Sequence, residues 1–96
     1  MVDPLEVVDG LVMVAVDGNP YKCLERLLFT LGEVRSSSRV WLTEGLYDIV
    51  VELDGVTYGA LLRLVSSIRR FVDGVLSVDW VVKRHAVYKG VPPDSG

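Results

Sequence analysis

Apolar residues in this sequence recur with two different periods, one typical of strands and one typical of helices. Residues 10–17 form a short apolar run between turn residues, which predicts a buried strand. Asn19 then supplies a helix N-cap with Pro20 directly after it, and Gly32 supplies a C-terminal cap. Between these caps one helical face is apolar, and its residues are Leu24, Leu27, Leu28 and Leu31.

The middle of the sequence predicts a hairpin of two strands. Residues 33–43 alternate with a period of two and have a polar middle, which indicates a partly exposed strand. Glu44 and Gly45 form a short turn, and residues 46–53 are again strand-like. We therefore expect these two segments to pair with each other.

A second helix and a last strand complete the pattern. Asp54 and Gly55 end the third strand, and residues 56–72 then show an amphipathic helical stripe. Residues 75–88 are β-rich, and their imperfect alternation indicates a bulge. The stripe of the second helix consists of Leu61, Val65, Ile68 and Val72.

The resulting order, βαββαβ, predicts a ferredoxin-like α+β sandwich. Right-handed crossovers give a four-stranded antiparallel sheet of order 4-1-3-2, with both helices on one face. The chain forms one domain over residues 1–96, with a core at about residues 10–88 and a turn-rich C-terminal tail at residues 89–96.

This architecture leaves the second face of the sheet uncovered, although the first strand is apolar on both faces. The composition, 50% hydrophobic with a mean hydropathy of +0.37, also exceeds what a small core can bury. A second copy of the chain is the simplest cover, because a two-fold interface needs one self-complementary patch. The pattern thus predicts a sheet-to-sheet homodimer.

Charge and composition exclude several function classes. A net charge of -3 with a pI near 5.0 argues against direct nucleic-acid binding, and charges interrupt every apolar run before it could span a membrane. With no signal-peptide pattern, we expect a cytoplasmic protein. Cys23 and His85 are single, and no nucleophile lies at a recognisable spacing from His85. We therefore expect no metal, no cofactor, no catalytic residue and no enzyme activity.

Residues 43–52, TEGLYDIVVE, followed about twenty residues later by Asp73, Gly74 and Val75, resemble the effector-binding domain of Lrp/AsnC transcriptional regulators. In that family a strand ends in a short glycine turn, and an aromatic residue and an aspartate open the next strand. Gly45, Tyr47 and Asp48 occupy these positions here. Because about nine residues precede the first strand, we expect a stand-alone domain without the family's helix-turn-helix.

The resemblance also implies a mode of action. Such domains dimerise through their sheets, assemble into rings of dimers, and bind amino-acid effectors between dimers near the glycine turn. A stand-alone member would influence transcription indirectly, for example by joining a DNA-binding homologue. The implied effector-binding residues are Gly45, Leu46, Tyr47, Asp48, Val78 and Trp80, the last two standing where family members often carry hydroxyl side chains.

Several alternatives stay open at the level of sequence. Gly45 could serve the turn alone, Asp48 could cap backbone N–H groups, and Tyr47 could be a packing residue. The domain could assemble without binding any ligand, or could be an ACT-like regulatory domain with the same element order. A small dimeric α+β barrel enzyme would also fit the fold, with His85 and Asp48 as its one plausible pair.

Overall fold

The computed structural model describes residues 3–32, 37–86 and 90. Its elements in chain order are β1 (Val7–Val16), α1 (Pro20–Leu31), β2 (Ser37–Leu42), β3 (Ile49–Thr57), α2 (Tyr58–Phe71) and β4 (Val75–Lys83). The strands form one antiparallel sheet of order β2-β3-β1-β4, which confirms the predicted ferredoxin-like topology.

The core lies between the two helices and one face of the sheet. β1 contributes Val12, Val14 and Val16, whose alternation puts Leu11, Met13 and Ala15 on the opposite face. Burial of this apolar layer is the main stabilising contribution to the fold. The remaining core residues are Cys23, Leu27, Leu31, Ile49, Val51, Leu53, Val56, Leu61, Leu64, Val65, Ile68, Val72 and Val78.

Both helices begin at residues that cap them. The Asn19 side chain accepts a hydrogen bond from the Tyr21 N–H at 2.9 Å, and the Thr57 hydroxyl accepts one from the Ala60 N–H at 3.1 Å. Each bond satisfies a backbone donor that the first helical turn leaves free. Gly32 is the C-cap of α1, as the sequence predicted, and its backbone conformation is right-handed.

The buried faces of the helices agree with prediction for α2 and differ in part for α1. All four residues of the predicted α2 stripe are buried. In α1 the buried residues are Cys23, Leu27 and Leu31, whereas Leu28 is about half exposed. The Cys23 thiol, on the buried side of α1, donates to the Asp73 carbonyl, a contact between residues distant in sequence that periodicity does not predict.

Several predicted strand ends were wrong. β1 begins three residues earlier than predicted, at Val7, and β3 runs over Ile49–Thr57 instead of residues 46–53. Asp54 and Gly55 do not end β3, because Gly55 has a φ of +68° and forms a bulge through which the strand continues. The Asp9 carboxylate accepts the Gly55 N–H at 2.9 Å and holds this bulge against β1.

β4 has the bulge that its imperfect alternation predicted. Ala15 pairs with Ser77 and Val16 with Val75, so Leu76 is the extra residue. β4 ends at Lys83, short of the predicted end. Residues 33–36 of the predicted second strand, residues 87–88 of the fourth, and most of the predicted tail, at 89 and 91–96, lie outside the described residues.

The helices in the described part of the chain are short. The longer one, α2, has 14 residues, and neither helix combines the length and the apolar character needed to cross a membrane.

Candidate functional site

The connection between β2 and β3 is a loop of residues 43–48, closed at its base by Thr43. The Thr43 N–H donates to the Asp48 carbonyl at 2.9 Å, and the Thr43 hydroxyl donates to the Tyr47 carbonyl at 2.8 Å. Gly45 has a φ of +114°, a conformation that disfavours any side chain, and the space around it is open. Glycine is therefore required for the turn, and Leu46 is left 88% exposed at its tip.

Asp48 fixes the other end of this 43–48 loop to the sheet. Its N–H donates to the Val14 carbonyl at 2.9 Å, and its carboxylate accepts the Val16 N–H at 2.9 Å. The carboxylate thus takes the place of a ladder carbonyl where the chain leaves the sheet. This arrangement gives Asp48 the backbone-capping role that the sequence left open as an alternative.

Tyr47 reaches from the loop across β1 to β4. Its hydroxyl donates to Asp79 Oδ2 at 2.7 Å. This hydrogen bond, with smaller contributions from desolvation and from the negative charge of Asp79, raises the pKa of Tyr47 above its ordinary value of 10.0. The bond ties the 43–48 loop to the strand at the far edge of the sheet.

The structure does not bring Val78 and Trp80 together with Gly45, Leu46, Tyr47 and Asp48. Val78 is 2% exposed in the core, and Trp80 packs on the helix side with its ring edge-on to Tyr58, 5.6 Å between centroids. The bulge at Leu76 puts Val78 and Trp80 on the helix side of the sheet. One extra residue moves each later side chain of the strand to the opposite face.

The residues of β4 that share a face with Tyr47 are the ones that sequence reasoning missed. Pairing of Ala15 with Ser77 and of Met13 with Asp79 puts these two β4 side chains opposite the helices. An alternation counted back from Lys83 would have found them.

We call the sheet surface opposite the helices the open face, because no described helix or strand covers it. Trp41 and Val81 are 47% and 45% exposed there, and Val50 and Met13 are half-buried between them. By register its residues are Leu11, Met13, Ala15, Arg39, Trp41, Val50, Glu52, Ser77, Asp79 and Val81.

Two carboxylates of the open face are already hydrogen-bonded by aromatic side chains. The Trp41 indole N–H donates to Glu52 Oε1 at 2.6 Å, and Asp79 receives the Tyr47 hydroxyl. A carboxylate with a donor in place costs less to remove from water than a free one. The open face is therefore apolar at its centre, and both of these acids already accept a hydrogen bond from within the chain.

His85 and Asp48, the pair on which an enzyme would depend, lie at opposite ends of the sheet. His85 is exposed just beyond β4, in a shallow depression of about 380 Å³ that also includes Glu6 and Lys83. Lys83 pairs with Asp9, whereas Asp48 bonds Val16, seven residues further along β1. At about 3.3 Å per strand residue this separates the two groups by roughly 20 Å.

Cys23 is a buried residue of α1 whose thiol donates to the Asp73 carbonyl at 3.1 Å. Burial raises the pKa of Cys23 above its ordinary value, and the negative charges of Asp48 and Asp73 raise it further. Among residues 3–32, 37–86 and 90, no three acidic, histidine or cysteine side chains are grouped as metal ligands would be.

No protein-family model matches the sequence, and no curated protein sequence matches it. Solved structures do match the fold. FFRP-DM1 has a TM-score of 0.62 at 18% identity, over 80% of this chain and 99% of its own. AsnC of Escherichia coli has a TM-score of 0.61 at 14% identity, over 96% of this chain and 62% of its own.

An AsnC family transcriptional regulator from Agrobacterium tumefaciens gives a similar result, with a TM-score of 0.62 at 13% identity over 96% of this chain and 63% of its own. The chain thus spans less than two thirds of these two regulators and nearly the whole of FFRP-DM1. Two of the three are thus AsnC itself and a transcriptional regulator of the AsnC family. At these identities the likeness shows a shared fold, which agrees with the resemblance of the TEGLYDIVVE segment.

Proposed function

We propose that this chain is a ligand-binding and oligomerisation module of the Lrp/AsnC type, which dimerises through its open face and binds an amino acid or similar small effector between dimers. It acts on transcription indirectly, through assembly with a DNA-binding homologue. The observation that carries the proposal is the 43–48 loop on this fold, which presents Gly45, Tyr47 and Asp48 in the order of the family motif.

The open face supports the dimer. Val50 and Met13 form an apolar centre between Trp41 and Val81, and a second copy would remove this surface from water. Glu52 and Asp79 would enter the interface with hydrogen bonds already made, so their burial costs less.

The 43–48 loop supports the effector site. Gly45 leaves its surroundings open, and Asp48 bonds Val16 through one carboxylate oxygen, so the second can accept from an effector's amino group. In this proposal Gly45, Leu46, Tyr47 and Asp48 contact the effector. Val78 and Trp80 support the site indirectly, by packing in the core between the sheet and the helices.

The enzyme alternative has no comparable support, since His85 and Asp48 lie at opposite ends of β1. The ACT-like alternative shares the fold. The glycine turn with Tyr47 and Asp48 favours the Lrp/AsnC type.

A thermal-shift screen of the twenty amino acids tests the effector site. At least one is expected to raise the unfolding temperature, because a ligand that binds the folded state stabilises it. Asp48→Asn should abolish the shift while keeping an oxygen for the Val16 N–H, and Asp54→Asn, an exposed carboxylate of β3, should leave it intact. If no amino acid shifts the transition, the domain serves assembly alone.

A further inference from the structure

We propose that the 43–48 loop of one copy inserts Leu46 into a groove between α1 and α2 of another copy. This contact extends the oligomer proposed above, and it rests on that proposal for the claim that the units it joins are dimers. The open face is not involved, because loop tip and groove lie elsewhere on the surface.

The groove is on the helix layer and is lined by Arg26, Phe29, Thr30, Ser67 and Phe71. Phe29 is 83% exposed and Phe71 62% exposed, so two phenyl rings stand in water on either side of it. The space measures about 320 Å³, which suits one or two inserted side chains and is too small for a folded domain. Exposed aromatic rings around a depression are typical of an interaction site.

The positive charge around the groove favours binding of an acidic segment. α1 and α2 together carry five basic side chains and one acidic side chain, a formal excess of four positive charges in a chain whose net charge is -3. Arg26 lines the groove, and the guanidinium of Arg70 lies 5.9 Å from the centre of the Phe71 ring. The matching occupant is an apolar side chain with a carboxylate beside it.

The tip of the 43–48 loop has this chemistry. Leu46 has the highest exposed fraction among the large apolar residues that the structure describes, and Glu44 lies two positions before it. The loop contains two acidic residues and no basic one. Its base is fixed by the bonds of Thr43 and Asp48, so docking orders little additional backbone.

A second copy of the chain is the favoured occupant because both halves of the contact are present in one sequence. The contact joins two different patches, so it is head-to-tail, and repetition of such contacts closes a ring or extends a filament. Each copy then offers one loop tip and one groove.

Sedimentation of the full chain tests the contact. The wild-type protein is expected to form species larger than a dimer. Leu46→Lys, which faces Arg26 and Arg70 with a third positive charge, should raise the concentration needed for that assembly about tenfold or more, as loss of one buried leucine implies. Phe29→Ser should act in the same direction, and Leu5→Lys, a change at another exposed leucine, should have no effect.

Two further experiments test whether the loop tip and the groove contact each other. A mixture of Leu46→Lys and Phe29→Ser proteins should regain part of the assembly, because the groove of the first accepts the loop tip of the second while the reverse contact stays lost. Glu44→Arg should weaken assembly, and Arg26→Glu in the same chain should restore it. A wild-type protein that stops at the dimer, or Leu46→Lys and Phe29→Ser proteins with wild-type assembly, would overturn this contact and leave the open-face dimer standing.

Discussion

Asp48 has a structural role in the sheet and a proposed role in effector binding. Its carboxylate replaces a missing ladder carbonyl for Val16, so part of its role is to end the sheet. An experiment on effector binding must leave this structural hydrogen bond in place, so the residue that replaces Asp48 has to keep an acceptor oxygen.

Replacement of Asp48 should therefore have a graded effect on stability. Asp48→Ala leaves the Val16 N–H without its partner and is expected to lower the free energy of unfolding by about 1 to 2 kcal/mol. Asp48→Asn keeps an acceptor and should cost less, and Asp54→Ala should stay within about 0.5 kcal/mol of wild type. Urea unfolding measures all three, and equal losses for the two Asp48 variants would contradict the capping role.

Tyr47 carries a second prediction at the residue scale. Because hydrogen bonding to Asp79 raises the pKa of Tyr47 above 10.0, its contribution to stability is complete below that pH and is lost as pH rises through the raised pKa. Asp79→Ala should return the pKa of Tyr47 toward the ordinary value. Ultraviolet titration of tyrosinate, with Tyr47→Phe to assign the signal, follows the change, and an unaltered titration would show that the bond is absent in solution.

At the scale of elements, periodicity predicted which segments are strands and helices, because each pattern repeats within a few residues. It did not predict where β3 ends, since the bulge at Gly55 depends on Asp9, a residue distant in sequence. The resemblance to the Lrp/AsnC domain, and not periodicity, implied that Val78 and Trp80 belong to the effector site. The bulge at Leu76 reverses the side of the sheet on which the later residues of β4 lie. Its position can be found only from the register of β4 with β1.

The N-cap of α2 gives a direct test of an element boundary. Thr57 ends β3 and caps α2, whereas the sequence pattern began that helix at Val56. Thr57→Ala should lower the free energy of unfolding by about 1 kcal/mol, and Thr57→Ser, which keeps the hydroxyl, by clearly less. Thermal or urea unfolding distinguishes them. Losses of equal size in the two variants would indicate that the hydroxyl does not cap the helix.

At the scale of the whole molecule, the chain has two surfaces of different character. The open face is apolar with its acids hydrogen-bonded, and the helix layer is positively charged with exposed phenyl rings. The uncovered sheet face was predictable from the two-sided apolar pattern of β1. The groove of the helix layer was not, because Phe29 and Phe71 are brought together by the packing of α1 against α2.

The central claim is that the open face is a dimer interface, and the molar mass of the chain tests it most directly. Light scattering at micromolar concentration should show a dimer or larger species for the wild type and a monomer for a variant with both Val50→Asp and Leu46→Lys, which removes the open-face and loop contacts together. Leu62→Asp combined with Leu46→Lys, with its first change on α2, should remain a dimer. A monomeric wild-type protein, or a variant with both Val50→Asp and Leu46→Lys that still dimerises, would contradict the account.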